Sequence, residues 1–164
     1  MQIEMTIKGL MVDPITNMPI IILRDKAEQR VLPIWVGVFE ANAIALQIEN
    51  VTTPRPMTHD LLAQVIESLG AALERIVVTE LREGTFYAEL FLRDGSGGVQ
   101  TLSSRPSDAV ALAVRTGSPI FAEESLIDEA GIEETEAATE GNEEQMVEEL
   151  RKFLDQVKPE DFQP

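Results

Sequence analysis

The chain has 164 residues, no cysteine and a formal net charge of −16. That is room for one domain with a real core, and it excludes disulfides, thiolate metal sites and a cysteine nucleophile. The acidity argues against a broad phosphate-binding surface, but residues 123–164 hold 15 acids against 3 bases while residues 1–122 hold 14 against 10. The acidity therefore belongs mostly to the C-terminal arm, and the body has room for a local positive site built from arginines.

The N-terminus alternates Ile3, Met5 and Ile7 with polar neighbours, the period-2 sign of a half-buried strand. Asp13-Pro14 with Thr16-Asn17 is a turn, Ile20–Arg24 reads as a second strand and Arg30–Val36 as a third. From Glu40 to Glu49 the apolar positions fall at helical spacing. Thr53-Pro54-Arg55-Pro56 is a rigid loop, after which Thr58 is expected to cap a helix. Its apolar face would be Leu61, Leu62, Val65, Ile66 and Leu69, closed by Gly70. Ile76–Leu81 reads as a strand, Glu83-Gly84 as a turn and Thr85–Arg93 as an alternating strand.

Short phrases recur between the halves. Leu23-Arg24-Asp25 matches Leu92-Arg93-Asp94, and Ala43-Ile44-Ala45-Leu46 matches Ala109-Val110-Ala111-Leu112. Two copies of a strand–strand–strand–helix unit are the inference. Glu123–Glu144 holds ten acids and no base, which predicts a short helix and then a linker. Met146, Val147, Leu150, Phe153, Leu154 and Val157 repeat at amphipathic-helix spacing. The fold expectation is an α+β domain over residues 1–131, with a mixed or antiparallel sheet from a duplicated β-β-β-α unit and helices packed on it. Residues 132–164 would form an acidic linker and a C-terminal helical arm. With no basic-then-apolar leader and no apolar run long enough for a bilayer, the expectation is a cytoplasmic protein without a membrane partner.

Two phrases carry the candidate chemistry: Arg55-Pro56 before Thr58, His59 and Asp60, and Arg105-Pro106-Ser107-Asp108. Each sets a guanidinium, a proline, a hydroxyl and a carboxylate before an apolar helical run. Proline in the first turn, a hydroxyl cap and an early aspartate all start helices. The arginines do not fit that account, because a cation at a helix N-terminus needs a carboxylate or a bound anion beside it. A histidine-rich phosphohydrolase is excluded by the single histidine. No serine sits in a glycine-flanked strand–turn–helix elbow that would support a triad with His59. Gly95-Ser96-Gly97-Gly98 precedes a strand and reads as a hairpin turn rather than a phosphate loop.

LPIWVGVFEANAIAL, RPMTHDLL, EGTFYAEL and SSRPSDAVALAVR, in this order and spacing, resemble the bifunctional nuclease domain family of small bacterial proteins and plant relatives. The resemblance covers about residues 3–130, and FLDQVKPEDF is similar to the tails of bacterial members. It implies a nuclease of low sequence specificity with DNA and RNA as substrates. Phosphodiester cleavage needs a positioned water, charge neutralisation and usually a divalent ion held by carboxylates. The matching positions offer His59, Asp60 and Asp108 as catalytic groups and Arg55, Arg105 and Ser107 as phosphate ligands. Glu40, Asp60 and Asp108 would hold magnesium or manganese, although Glu40 also reads as a solvated first-turn residue. Trp35 is expected in the core or at a subunit interface, with a base-stacking platform as the lesser alternative. The rival readings are a non-catalytic binding or assembly module, which the apolar strands and the apolar helix at Ala109–Val114 would support as a homodimer or larger homo-oligomer, and a small-molecule phosphate-ester hydrolase.

Overall fold

The computed structural model describes residues 1–27 and 30–133. Eight strands and four helices follow one another as β1 (Gln2–Val12), β2 (Pro19–Asp25), β3 (Arg30–Trp35), α1 (Val38–Ile48), α2 (Thr58–Ser68), β4 (Ala72–Arg82), β5 (Thr85–Arg93), β6 (Val99–Ser104), α3 (Pro106–Thr116), β7 (Ile120–Glu123), α4 (Glu124–Ala130) and β8 (Ile132–Glu133). This is the mixed α+β architecture expected from the alternating and helical periodicities. The element order contains β-β-β-α as β1–β2–β3–α1 and again as β4–β5–β6–α3. The amphipathic segment 146–157 lies outside the described residues. No helix among the described residues is long and apolar enough to cross a membrane.

The strands form one sheet in the order β6-β5-β4-β7-β1-β2-β3-β8. Within each three-stranded meander the neighbours are antiparallel, as the short hairpin turns require. The meanders are welded by β7, which pairs antiparallel with β1 and parallel with β4. Ile120 and Ala122 of β7 are buried there. A four-residue strand gives too little periodicity to be read from sequence, and this one was not anticipated. The last described strand, Ile132–Glu133, pairs with Val31 and Arg30 of β3.

Helices α1 and α3 are buried because they are apolar almost all round. Ala41–Ala45 and Ala109–Ala113 each give five consecutive buried residues. Their alanines let the two helices pack closely, and full burial of Ile44 or Leu112 contributes about 2 kcal/mol each. Helix α2 departs from expectation. Leu61, Leu62, Val65 and Leu69 are exposed, and the helix leans on α3 through His59, Ala63 and Ile66. An apolar helical face shows only that a face is apolar; which side meets the core depends on where the loop before it sets the helix down.

The helix starts also differ from the expected hydroxyl caps. Met57, not Thr58, is the N-cap of α2, and the Asp60 carboxylate accepts a hydrogen bond from its N–H at 2.9 Å. Arg105 is the N-cap of α3 with Pro106 in the first turn, and no side chain caps it. Gly117 closes α3 at φ 67°, a left-handed turn that glycine adopts without a Cβ penalty.

Candidate functional site

The starts of α2 and α3 meet. His59 Nε2 lies 2.9 Å from Asp108 Oδ1, and Arg105 Nε donates to Asp108 Oδ2 at 2.7 Å. A second arm of the same guanidinium donates to Glu40 Oε1 at 2.8 Å. The result is a chain of four groups, Glu40–Arg105–Asp108–His59, drawn from the first turns of three helices. Asp108 lies in the first turn of α3 but makes no cap contact; its carboxylate turns to the imidazole and the arginine. It orients the imidazole and holds the arginine.

Burial varies along this chain and is least at Arg105. His59 is buried, the side chains of Glu40 and Asp108 are partly covered, and that of Arg105 is 66% exposed. Burial alone pushes the Asp108 carboxyl pKa upward, but hydrogen bonds and charge from Arg105 and His59 outweigh it and hold the group below the usual carboxylate range. Arg105 is pushed further up, chiefly by its hydrogen bond with Asp108. Because an ionised carboxylate can only accept, the Nε2 of His59 that faces Asp108 is the nitrogen that donates. Nδ1 takes no hydrogen bond from the described residues.

Glu40 reaches Arg105 only because residue 37 is glycine. A Cβ built at Gly37 would stand 2.3 Å from Glu40 Oε2, so the carboxylate folds back over the N-cap of α1. The reading of Glu40 as a solvated first-turn residue does not hold: its side chain is 16% exposed and ion-paired.

Asp60 belongs to a different network. Arg115 Nε donates to Asp60 Oδ1 at 2.7 Å, and its other nitrogens donate to the carbonyls of Ala111 and Ala43 at 2.7 and 2.9 Å. The Arg115 side chain is only 6% exposed. Burial raises the Asp60 carboxyl pKa, and the Met57 N–H and Arg115 outweigh it, leaving the net shift downward. This guanidinium ties α1, α2 and α3 together. Its place in the sequence gives no sign of this: a basic residue in the last turn of a helix is accounted for by the dipole, and nothing in the spacing shows the reach to Ala43.

Four of the candidate residues line two separate clefts, while Glu40, His59 and Asp108 line neither. Arg55, exposed and without an ion pair among the described residues, lines a cavity of about 300 Å³ with Asp60, Gln64 and Arg115. Arg105 and Ser107 line another of about 380 Å³, together with Trp35 and Phe86. Trp35 is not in the core: it is 50% exposed. Among the described residues, no group of three or more His, Asp or Glu is placed to hold a metal ion. Between Glu40 and Asp108 stands the Arg105 guanidinium, and Asp60 is turned to Arg115, so the donors as arranged do not fit a divalent ion.

The model of the bifunctional nuclease domain matches residues 21–135. The chain belongs to that family. An uncharacterised protein of Mycobacterium tuberculosis is 42% identical over 163 residues, which is 97% of each chain. Bifunctional nuclease 2 of Oryza sativa subsp. japonica is 30% identical over 123 residues, covering 73% of this chain and 38% of the rice protein. Bifunctional nuclease 1 of Arabidopsis thaliana is 29% identical over 91 residues, 54% of this chain and 28% of that one. The match to the plant proteins spans less than two fifths of their length. Family membership supports a nuclease-type function in general terms; the four-group chain described above lies within the matched residues.

Proposed function

We propose that the chain is a nuclease of low sequence specificity that hydrolyses phosphodiester bonds in DNA and RNA, with the cluster Glu40–Arg105–Asp108–His59 as its reaction centre. The observation that supports this most directly is the His59–Asp108 pair beside an exposed arginine fork. In this reading Arg105 exchanges a carboxylate for a phosphate, which its planar fork can grip in two places. His59 then takes a proton from the attacking water through Nδ1 as the water oxygen bonds to phosphorus, while Asp108 fixes the ring and balances its charge; the bond from phosphorus to the leaving sugar oxygen breaks, and that oxygen takes a proton from solvent. The N-terminus of α3, an 11-residue helix, adds positive potential where negative charge grows on the phosphoryl oxygens. Arg55, in the neighbouring cleft, meets the next phosphate of the strand. Asp60 is assigned to holding the helices rather than to bond breaking. No step is routed through a metal ion, because the carboxylates are taken by guanidinium groups.

One observation favours the rival reading of a binding module. Every charged group of the cluster is already satisfied by another, as a structural ion-pair chain would be. The two are separated by cleavage of end-labelled single strands, DNA and RNA in parallel, with magnesium, manganese or a chelator. Wild-type protein is expected to cut both strands. Arg105→Lys keeps the charge and loses the fork, and cleavage should fall about tenfold or more. Cleavage abolished by the chelator would return a divalent ion to the mechanism and require Arg105 to leave Glu40 and Asp108. Strands that are bound and left intact under all three conditions would establish the binding module instead.

A further inference from the structure

The cleft beside Arg105 has a composition that the reaction centre does not use. Its volume is about 380 Å³, within the range of small-ligand sites. One wall is the end of β3, where Trp35 stands half exposed and Met18 lies nearby, also exposed. The other wall is Phe86, at the start of β5, and the floor includes the first turn of α3 at Arg105, Pro106 and Ser107. Among the residues lining it, Arg105 alone carries a charge. The Trp35 ring is held in place from outside the cleft: its indole N–H donates to Asp13 Oδ2 at 3.1 Å. A half-exposed tryptophan with its polar edge already satisfied presents apolar ring surface to a ligand.

We infer that this cleft seats an unpaired nucleobase, stacked on Trp35, of the strand whose phosphate is gripped by Arg105. The inference rests on the nuclease reading and adds to it a substrate class: single-stranded nucleic acid. A flat apolar group joined to an anion matches the lining, with aromatic and aliphatic walls and one guanidinium at the side. Stacking on an aromatic face accepts any of the four bases, because every base has a π face, which agrees with low sequence specificity. A base inside a duplex cannot reach the ring without leaving its partner, so single strands should be preferred over duplex.

Trp35 is the only tryptophan in the chain, so its emission reports this cleft alone. The full chain is titrated in chelator with a short phosphorothioate-linked single strand, which resists hydrolysis, with an abasic strand of equal length and the same linkages, and with the matching duplex. The normal strand should quench the emission in a saturable way. The abasic strand should bind about tenfold or more weakly and leave the emission unchanged. By anisotropy of a labelled strand, Trp35→Ala should lose about tenfold in affinity, and Trp35→Phe, which keeps an aromatic face, should stay within about threefold of wild type. Equal affinity for normal and abasic strands, or binding with no change in emission, overturns the base subsite. So does full affinity in a folded Trp35→Ala protein. Failure of the nuclease reading looks different: emission is quenched by the strand, yet no strand is cut under any metal condition.

Discussion

Asp108 and His59 are 49 residues apart and share a 2.9 Å hydrogen bond between the starts of two helices. Asp60, next to His59 in sequence, shares no contact with Asp108 and instead caps α2 and anchors Arg115. Two carboxylates in similar phrases thus have different duties.

Neutral amide variants separate those duties. Asp60→Asn leaves a buried guanidinium without its counter-charge and weakens a helix start, so stability should fall by about 2 kcal/mol in urea denaturation. Asp108→Asn breaks a pair whose partner arginine is largely in water, and should cost about 1 kcal/mol or less. Cleavage should respond in the opposite order. Asp108→Asn should lose about a hundredfold, equivalent to roughly 3 kcal/mol of barrier, and Asp60→Asn much less once its weaker folding is allowed for. Normal cleavage by a folded Asp108→Asn protein would remove Asp108 from the mechanism.

Gly37→Ala probes Glu40 without touching a charged residue. The new Cβ would stand 2.3 Å from Glu40 Oε2, and that atom is the end of a flexible side chain, so the fold should lose about 1 kcal/mol or less. The pairing with Arg105 should be lost, and cleavage by Gly37→Ala should match that of Glu40→Gln within a few-fold. A Gly37→Ala protein with wild-type activity and an altered Glu40→Gln protein would show that the carboxylate finds another path to Arg105.

Acid should unfold the protein through Asp60 and Asp108 in particular. Both carboxyls are held below their ordinary value of 3.8, against the upward push of burial, by Met57 and Arg115 at Asp60 and by Arg105 and His59 at Asp108. A group depressed in the folded state contributes fully above its unfolded pKa, and the contribution goes as pH falls through the folded one. Stability from these two groups should be flat above about pH 5 and decline below about pH 4. Urea midpoints across that range give the slope. It should be shallower in Asp108→Asn and in Asp60→Asn than in wild type, and an unchanged slope in both variants would contradict the assignment.

Removal of residues 134–164 tests the acidic arm. The cut falls after β8, so every described strand and helix is kept, and the shortened chain should still melt cooperatively. The segment holds ten acids and three bases, so its loss relieves repulsion of phosphate. Binding to a single strand should tighten most at low salt, where screening is weakest. Affinity unchanged across a salt series would show that the arm does not act as an electrostatic brake.

Periodicity alone determined the α+β class and the two strand–strand–strand–helix runs, because period 2 and period 3.6 are local properties of adjacent residues. The two Arg-Pro phrases stand out as a repeated residue pattern, and the resemblance to the bifunctional nuclease domain family is what marks His59, Arg105 and Asp108 as candidates. Tertiary structure decided what those residues do. Which carboxylate turns to which guanidinium depends on how α1, α2 and α3 cross, and Arg115 joins the three through Asp60 and two carbonyls that carry no sequence signature. The exposed side of α2, the insertion of β7 between the meanders and the opening beside Trp35 have the same origin. Each is set by contacts between segments far apart in the chain, where spacing along the sequence carries no information.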